Sequence, residues 1–235
     1  MSNSIKKLLL FGASGSIGSA VKKKFIEQSW QVVSVSRTSN SINDSLCWNP
    51  LSIEPTPIEA LKAYNNFDAV CWAQGQNCND SIYNFDVRLH REVYEANVIY
   101  ILNSLSVLLE NKLLIKPSRM CVISSIWQNI SRQNKLSYGV SKAAIKGLVL
   151  SLANDIGIDG HLINAILPGA LDTPMTHQNL TKKQMDFIVN ATQFGRLANL
   201  DDVANTSYFL CSPDNTGVTG QFIKVDLGYS DVRVI

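Results

Sequence analysis

Apolar runs and amphipathic stretches alternate along the whole chain. Residues 5–11 end in Leu8-Leu9-Leu10-Phe11, and a run without polar interruption predicts a buried strand. Over 17–28, Ile17, Ala20, Val21 and Phe25 recur at helical spacing, while Lys22-Lys23-Lys24 fall on the other side and face solvent. Further strands are predicted over 31–36, 69–72, 120–124, 162–167 and 222–225, and further helices over 58–64, 86–114, 137–155 and 201–211. The long region 86–114 reads as two helical pieces meeting near Asn97, and the stretch before residue 58 reads as a polar loop. Strands apolar on both faces, alternating with helices, predict an α/β fold with a doubly wound parallel sheet covered on both faces. No repeat, low-complexity tract or linker divides the chain, so residues 1–235 are expected to form a single domain.

Composition narrows the function classes. At 235 residues and 46% apolar, the chain can bury one substantial core. A net charge of +2 is too mild for a nucleic-acid binder. The five cysteines (Cys47, Cys71, Cys78, Cys121 and Cys211) are odd in number and include no Cys-x-x-Cys pair. That argues against metal ligation and a disulfide framework, and for a reducing, cytoplasmic setting. The apolar run after Lys6-Lys7 stops at Gly12, short of a secretion signal, and no run reaches the roughly 18 apolar residues of a membrane span.

Two patterns carry chemistry. Between the first strand and first helix lies Gly12-Ala13-Ser14-Gly15-Ser16-Ile17-Gly18. Gly12 permits a sharp turn, Gly15 close backbone approach to a pyrophosphate, and Gly18 close packing of the helix on the sheet. The helix N-terminus adds free donors and partial positive charge. Gly12, Ser14, Gly15, Ser16, Ile17 and Gly18 are therefore candidate dinucleotide contacts. The second strand ends in Ser36-Arg37-Thr38, with no carboxylate to bind ribose hydroxyls. An arginine beside hydroxyls suits a 2′-phosphate, which makes Arg37 and Thr38 candidates for selecting NADP(H) over NAD(H). The second pattern is Tyr138-Gly139-Val140-Ser141-Lys142, with Ser125 upstream. On a helix, Tyr138 and Lys142 share one face, and the ammonium is expected to lower the phenol's pKa from about 10.

These motifs, in this order, resemble the short-chain dehydrogenase/reductase family, whose single-domain branch has about this length. The resemblance covers nearly the whole chain and implies a Rossmann-type sheet of about seven strands. Asn97, Ser125, Tyr138 and Lys142 match the family's catalytic tetrad. By resemblance, Tyr138 is the proton donor, Lys142 lowers its pKa and binds the nicotinamide ribose, Ser125 holds the carbonyl oxygen, and Asn97 links Lys142 to solvent through a water. Pro168 and Gly169 resemble the turn at the nicotinamide, with Thr173 beyond it to bond the carboxamide. Ala73 and Gly75, in a loose match to the family's Asn-Asn-Ala-Gly, and Asn49, where the family often has an adenine-contacting aspartate, complete the implied cofactor site. Gly195-Arg196-Leu197, Val218-Thr219-Gly220 and Asp226-Leu227-Gly228 resemble the family's C-terminal signature.

The resemblance implies an NADP(H)-dependent oxidoreductase acting on a carbonyl or secondary alcohol of a small molecule, assembled as a homotetramer or homodimer, with no nucleic-acid or membrane partner. Residues 172–195 are expected to form a lid over the substrate, with Trp127 and Gln128 opposite, and His177 a surface residue of that lid. A 3-oxoacyl-carrier-protein reductase is the alternative within the family. A non-catalytic dinucleotide-binding regulator is the alternative outside it, although such relatives usually lose the tyrosine or lysine kept here. The Gly12, Gly15, Gly18 spacing also resembles sugar-nucleotide epimerases, but those need a second substrate domain for which the chain has no room.

Overall fold

The computed structural model describes residues 5–38 and 45–232. Seven parallel strands form one sheet in the order β3-β2-β1-β4-β5-β6-β7. They are β1 (Lys7–Phe11), β2 (Gln31–Ser36), β3 (Ser45–Cys47), β4 (Phe67–Trp72), β5 (Leu114–Ile123), β6 (Leu162–Pro168) and β7 (Phe222–Val225). The helices are α1 (Ser16–Glu27), α2 (Ile58–Lys62), α3 (Val87–Tyr94), α4 (Tyr100–Glu110), α5 (Leu136–Asp155), α6 (Pro174–Asn179), α7 (Lys182–Asn190) and α8 (Leu200–Cys211).

β1 shows why the sheet needs cover on both faces. Leu9 and Phe11 pack in one core with Ile101, Leu105 and Leu108 of α4 and Ile145 and Val149 of α5. Leu8 and Leu10 point the other way, into a core with Val21 and Phe25 of α1 and Val203, Ala204 and Leu210 of α8. Period-two side chains that are all apolar fit only a strand buried twice. No helix among the described residues is long and apolar enough to cross a membrane.

Three elements depart from the sequence pattern. The helix expected to run to residue 114 ends at Glu110. The Asn111 side chain donates to Val107 O at 2.9 Å, Lys112 takes a left-handed φ of 54°, and the chain turns into β5 at Leu114. Leu113 and Leu114 prolong the apolar run but are buried at the foot of the strand instead. β3 pairs with β2 where a polar loop was expected, since three residues give no periodicity to read. Residues 172–195 hold two short helices, and Thr181 and Gln184 cap α7 reciprocally.

The strand order reverses between β1 and β4, and their carboxyl ends open the crevice where α/β sheets bind ligands. Ala73 N donates to Phe11 O at 3.0 Å and holds the two loops together.

Away from this crevice, buried His161 accepts from Ser118 N at 3.0 Å and pairs with Ser118 Oγ at 2.8 Å. Burial, with Lys116 nearby and only partly countered by Asp159, holds its pKa below the usual 6.5. The unfolded chain therefore takes up this proton first as pH falls, and stability present above about pH 6.5 is lost below it. The melting temperature should fall between pH 7.5 and 5.5. His161→Asn, which keeps an acceptor but cannot charge, should flatten that dependence; an unchanged slope would contradict the assignment.

Candidate active site

The glycine turn is built by contacts that exclude side chains. Gly12 has φ +76°, and a Cβ there would lie 2.5 Å from Gln74 N. A Cβ on Gly18 would lie 2.1 Å from Gly12 O, so the helix start presses on the turn itself rather than on the sheet. A Cβ on Gly15 would make only an ordinary 3.5 Å contact, so packing does not demand glycine there. Ser14, Gly15 and Ser16 are exposed, and Ile17 is half-buried. Helix α1 has no side-chain cap and no acidic residue in its first turn, which leaves its first N–H groups for an anion. The crowded Gly12–Gly18 turn under an uncapped helix fits a dinucleotide pyrophosphate. Gly18→Ala should lower unfolding free energy by about 1–3 kcal/mol in a urea titration; a neutral result would contradict this packing.

At the far end of the crevice, Arg37 and Thr38 are exposed after β2, where Ser36 Oγ donates to Thr38 O at 2.9 Å. Arg37 is close enough to Tyr100 to oppose the effect of burial, which pushes that phenol up. Asn49 Oδ1 accepts from Leu51 N at 3.2 Å, a local turn beside Trp48. Trp48, Trp72 and Tyr100 surround Phe11 at centroid distances of 5.4, 5.9 and 5.7 Å.

Asn97 sits in a π-helical turn, Glu95–Ile99, where α3 passes into α4. Such turns shift the backbone hydrogen-bond register and commonly mark sites. Its buried side chain donates to Gln76 O at 2.9 Å and Ser141 Oγ at 2.8 Å, and accepts from Gln76 N at 2.8 Å. Ser141 Oγ in turn donates to Tyr138 O at 2.8 Å. A Cβ on Gly75 would stand 3.0 Å from Asn97 Oδ1 and 3.7 Å from Lys142 Nζ, so Gly75 faces this polar cluster.

Ser125 follows β5 and accepts from Trp127 N at 3.3 Å, which starts a short 3₁₀ turn. Its side chain also lies close enough to the Tyr138 hydroxyl to favour that group's ionised form. Lys142 lies one turn along α5 from Tyr138, its Nζ 5.6 Å from the ring centroid, and donates to Ile123 O at 3.1 Å. The expected fall in the phenol pKa is reversed. Burial of the hydroxyl pushes it up to about 12, and Ser125 only partly opposes this. Burial also draws the Lys142 ammonium down to about 8. Desolvation sets the direction for both groups.

Pattern reading missed a second polar cluster on the same helix end. Lys135, three residues before Tyr138, is buried with its Nζ 5.5 Å from the Tyr138 ring centroid. Asp80 accepts from the Ser137 backbone at 3.0 Å and from its hydroxyl, and Ser137 Oγ meets His90 Nδ1 at 2.8 Å. Burial works to raise the Asp80 carboxyl, but the two Ser137 hydrogen bonds outweigh it and hold the group below its usual range. The i, i+3 spacing of Lys135 and Tyr138 was the available signal; Asp80 carried none.

At the end of β6, Pro168 is buried and Gly169 N donates to Val225 O at 3.0 Å. A Cβ on Gly169 would lie 2.7 Å from Asp226 Cβ. Thr173 Oγ1 accepts from Thr176 N at 3.3 Å and caps α6. His177 is exposed and meets Asp172 Oδ1 at 2.7 Å.

Comparison with known proteins gives the class. Residues 52–230 match the family model described as enoyl-(acyl carrier protein) reductase. The chain belongs to the short-chain dehydrogenase/reductase family, and is an oxidoreductase of that family with its Rossmann-type sheet. It is 24% identical to an uncharacterized oxidoreductase, YmfI, of Bacillus subtilis (strain 168), over 95% of this chain and 98% of that one. It is 24% identical to the 3-oxoacyl-[acyl-carrier-protein] reductase FabG of Chlamydia trachomatis, over 93% of this chain and 85% of that one. In fold it is similar to a gluconate 5-dehydrogenase from Burkholderia cenocepacia J2315, solved in complex with NADP and tartrate. The TM-score there is 0.88 at 17% identity, covering 97% and 96% of the two chains.

Proposed function

We propose that this enzyme moves a hydride between NADP(H) and a carbonyl or secondary alcohol carbon of a small molecule, with Ser125, Tyr138 and Lys142 as its catalytic residues. The observation that carries the reading is the convergence of three polar groups at one place. Ser125 lies close enough to favour the ionised Tyr138 phenol, the Lys142 ammonium stands 5.6 Å from the same ring, and Gly75 beside Lys142 follows Gln74, against which Gly12 packs. The nicotinamide, when bound, supplies or accepts the hydride. Ser125 donates a hydrogen bond to the carbonyl oxygen as negative charge builds there. Tyr138, a phenol near 12 and protonated at neutral pH, gives its proton to that oxygen as the alcohol forms. Lys142 is the cation that favours the phenolate left behind, and the residue that would hold the ribose hydroxyls. Asn97 fixes Gln76 and, through Ser141, the Tyr138 backbone, so its side chain positions the site.

Pro168, Gly169 and Thr173 would hold the nicotinamide end, Ala73 and Gly75 the middle, and Asn49, Arg37 and Thr38 the adenosine. Arg37 is exposed, and the carboxylate that would favour NAD(H) is missing from the end of β2. The solved gluconate 5-dehydrogenase complex, which holds NADP, supports the same preference. Arg37→Ala should weaken NADPH binding about tenfold or more while leaving NADH binding unchanged, because one charge-assisted phosphate contact is lost. Equal NADPH affinity in a fluorescence titration would contradict this.

Helices α6 and α7 would cover the substrate as part of one domain over residues 1–235. The chain would assemble through α4 and α5, where Leu102, Val140 and Leu150 stay exposed, as a homodimer or homotetramer in the cytoplasm. Following NADPH absorbance against ketones, keto-sugars and acyl thioesters tests the activity. A response confined to the thioesters would favour the 3-oxoacyl-carrier-protein reductase reading, which the Chlamydia relative supports. No response with any carbonyl class would contradict the proposal.

A further inference from the structure

Two cations have no part in the steps above: Lys135, 5.5 Å from the Tyr138 ring centroid, and Arg132 near Lys135. Lys135 is buried and donates to Asn77 Oδ1 at 2.6 Å and to Cys78 O at 3.0 Å. Asp80 lies close enough to offset part of its charge. Arg132, three residues earlier, has its guanidinium carbon 5.7 Å from the ring centroid of Trp127, which is itself two residues past Ser125. The two cations are near neighbours: after burial, repulsion by Arg132 is the next cause holding Lys135 below its ordinary pKa.

Arg132 is half-buried, and among the described residues no hydrogen bond or ion pair holds its guanidinium. Its Nε is buried without a partner. Gln128, four residues before it and buried, accepts from Ser124 Oγ at 2.9 Å, yet its Nε2 also has no partner within the protein. Buried donors left unpaired are destabilising, and nearly all such groups in proteins find an acceptor. Here two of them occur in the segment that joins Ser125 to Tyr138, and Arg132 lies over the Trp127 indole. The missing partner is an acceptor, and the local charge says it is an anion.

The form of the anion follows from charge and shape. With Asp80 offsetting Lys135, the local surplus is close to one positive charge, carried by a planar fork of parallel donors. That matches a carboxylate better than a phosphate dianion. Resting on the oxidoreductase reading above, we propose that the substrate carries a carboxylate near its reacting carbonyl, bound by Arg132 beside the Trp127 ring. Arg132 is a specificity-determining residue in this reading, selecting oxo acids over their neutral counterparts.

Isothermal titration of the full chain with 3-oxohexanoate and with methyl 3-oxohexanoate tests the site without turnover. The acid should bind about tenfold or more tightly than the ester. Arg132→Gln should bring that ratio close to one, and Arg132→Lys should retain part of it. A ratio taken within each variant is insensitive to partial loss of folded protein. Equal binding of acid and ester by the unmodified chain, or an Arg132→Gln variant that keeps the preference, would overturn the proposal. Tighter binding of inorganic phosphate than of the acid would overturn the choice of carboxylate. With NADPH present, reduction of the ester but not the acid would defeat this proposal and leave the oxidoreductase reading standing. If neither compound oxidises NADPH, only that broader reading is touched, and the binding ratio still decides the carboxylate site.

Discussion

Replacing Tyr138 by Phe is expected to lower turnover about 10²- to 10⁴-fold, the usual contribution of a positioned general acid, while NADPH binding stays within a factor of about two. The side chain's packing is retained, because the ring stays between Lys135 and Lys142 at 5.5 and 5.6 Å from its centroid. Only the hydroxyl goes, and with it the group beside Ser125 that carries the proton the alkoxide needs. A steady-state assay beside a fluorescence titration separates the two quantities. Retained turnover would remove Tyr138 from proton transfer, and lost NADPH affinity would mean that the hydroxyl serves the cofactor site instead.

Lys142→Met should pull activity and stability in opposite directions. The lysine is 4% exposed, and burial alone lowers its pKa from 10.5 to about 8. A depressed lysine pKa means the folded state resists the charge: the penalty is complete below pH 8, shrinks as pH rises, and is gone above 10.5. At pH 7 that penalty is about 3 kcal/mol. Removing the donor to Ile123 O costs back about 1 kcal/mol, so the variant should gain about 2 kcal/mol in urea unfolding at pH 7. The gain should fade by pH 10, where wild-type Lys142 folds uncharged. Turnover should fall by orders of magnitude at the same time, the signature of a group kept for function against stability. A variant less stable than wild type at pH 7 would contradict the assigned cost of the buried charge.

How much of this was legible follows from the range of each signal. Leu8 to Phe11 could only be a strand buried twice, and Gly12 and Gly18 could only be glycines beside a tight turn; both facts are local and survive in the sequence. The pairing of Tyr138 with Lys142 is likewise a spacing on one helix. β3 was hidden because three residues carry no periodicity, and the first part of β5 (114–119) because Leu113 and Leu114 prolong the helical apolar run past the turn at Lys112. The phenol's direction of shift was misjudged for a different reason. Spacing shows which charges are neighbours but not how far they stand from water, and desolvation decided the sign. Asp80 belongs to the same class: it reaches Ser137 across 57 positions, a distance no local pattern spans. Arg132 and Gln128 were invisible as a pair because what distinguishes them is the lack of partners, a property of the folded state alone.

The most direct measurement of the central claim follows a labelled hydride. The protein would be incubated with NADPH carrying deuterium on one face of nicotinamide carbon 4, then with deuterium on the other face, alongside the carbonyl panel. Products would be weighed by mass spectrometry. The proposed reaction yields an alcohol one mass unit heavier from one labelled face only, with the deuterium on the carbinol carbon and none from Tyr138→Phe at comparable times. Label that stays in the coenzyme, or products that form without carrying it, would show that the cleft does not perform hydride transfer.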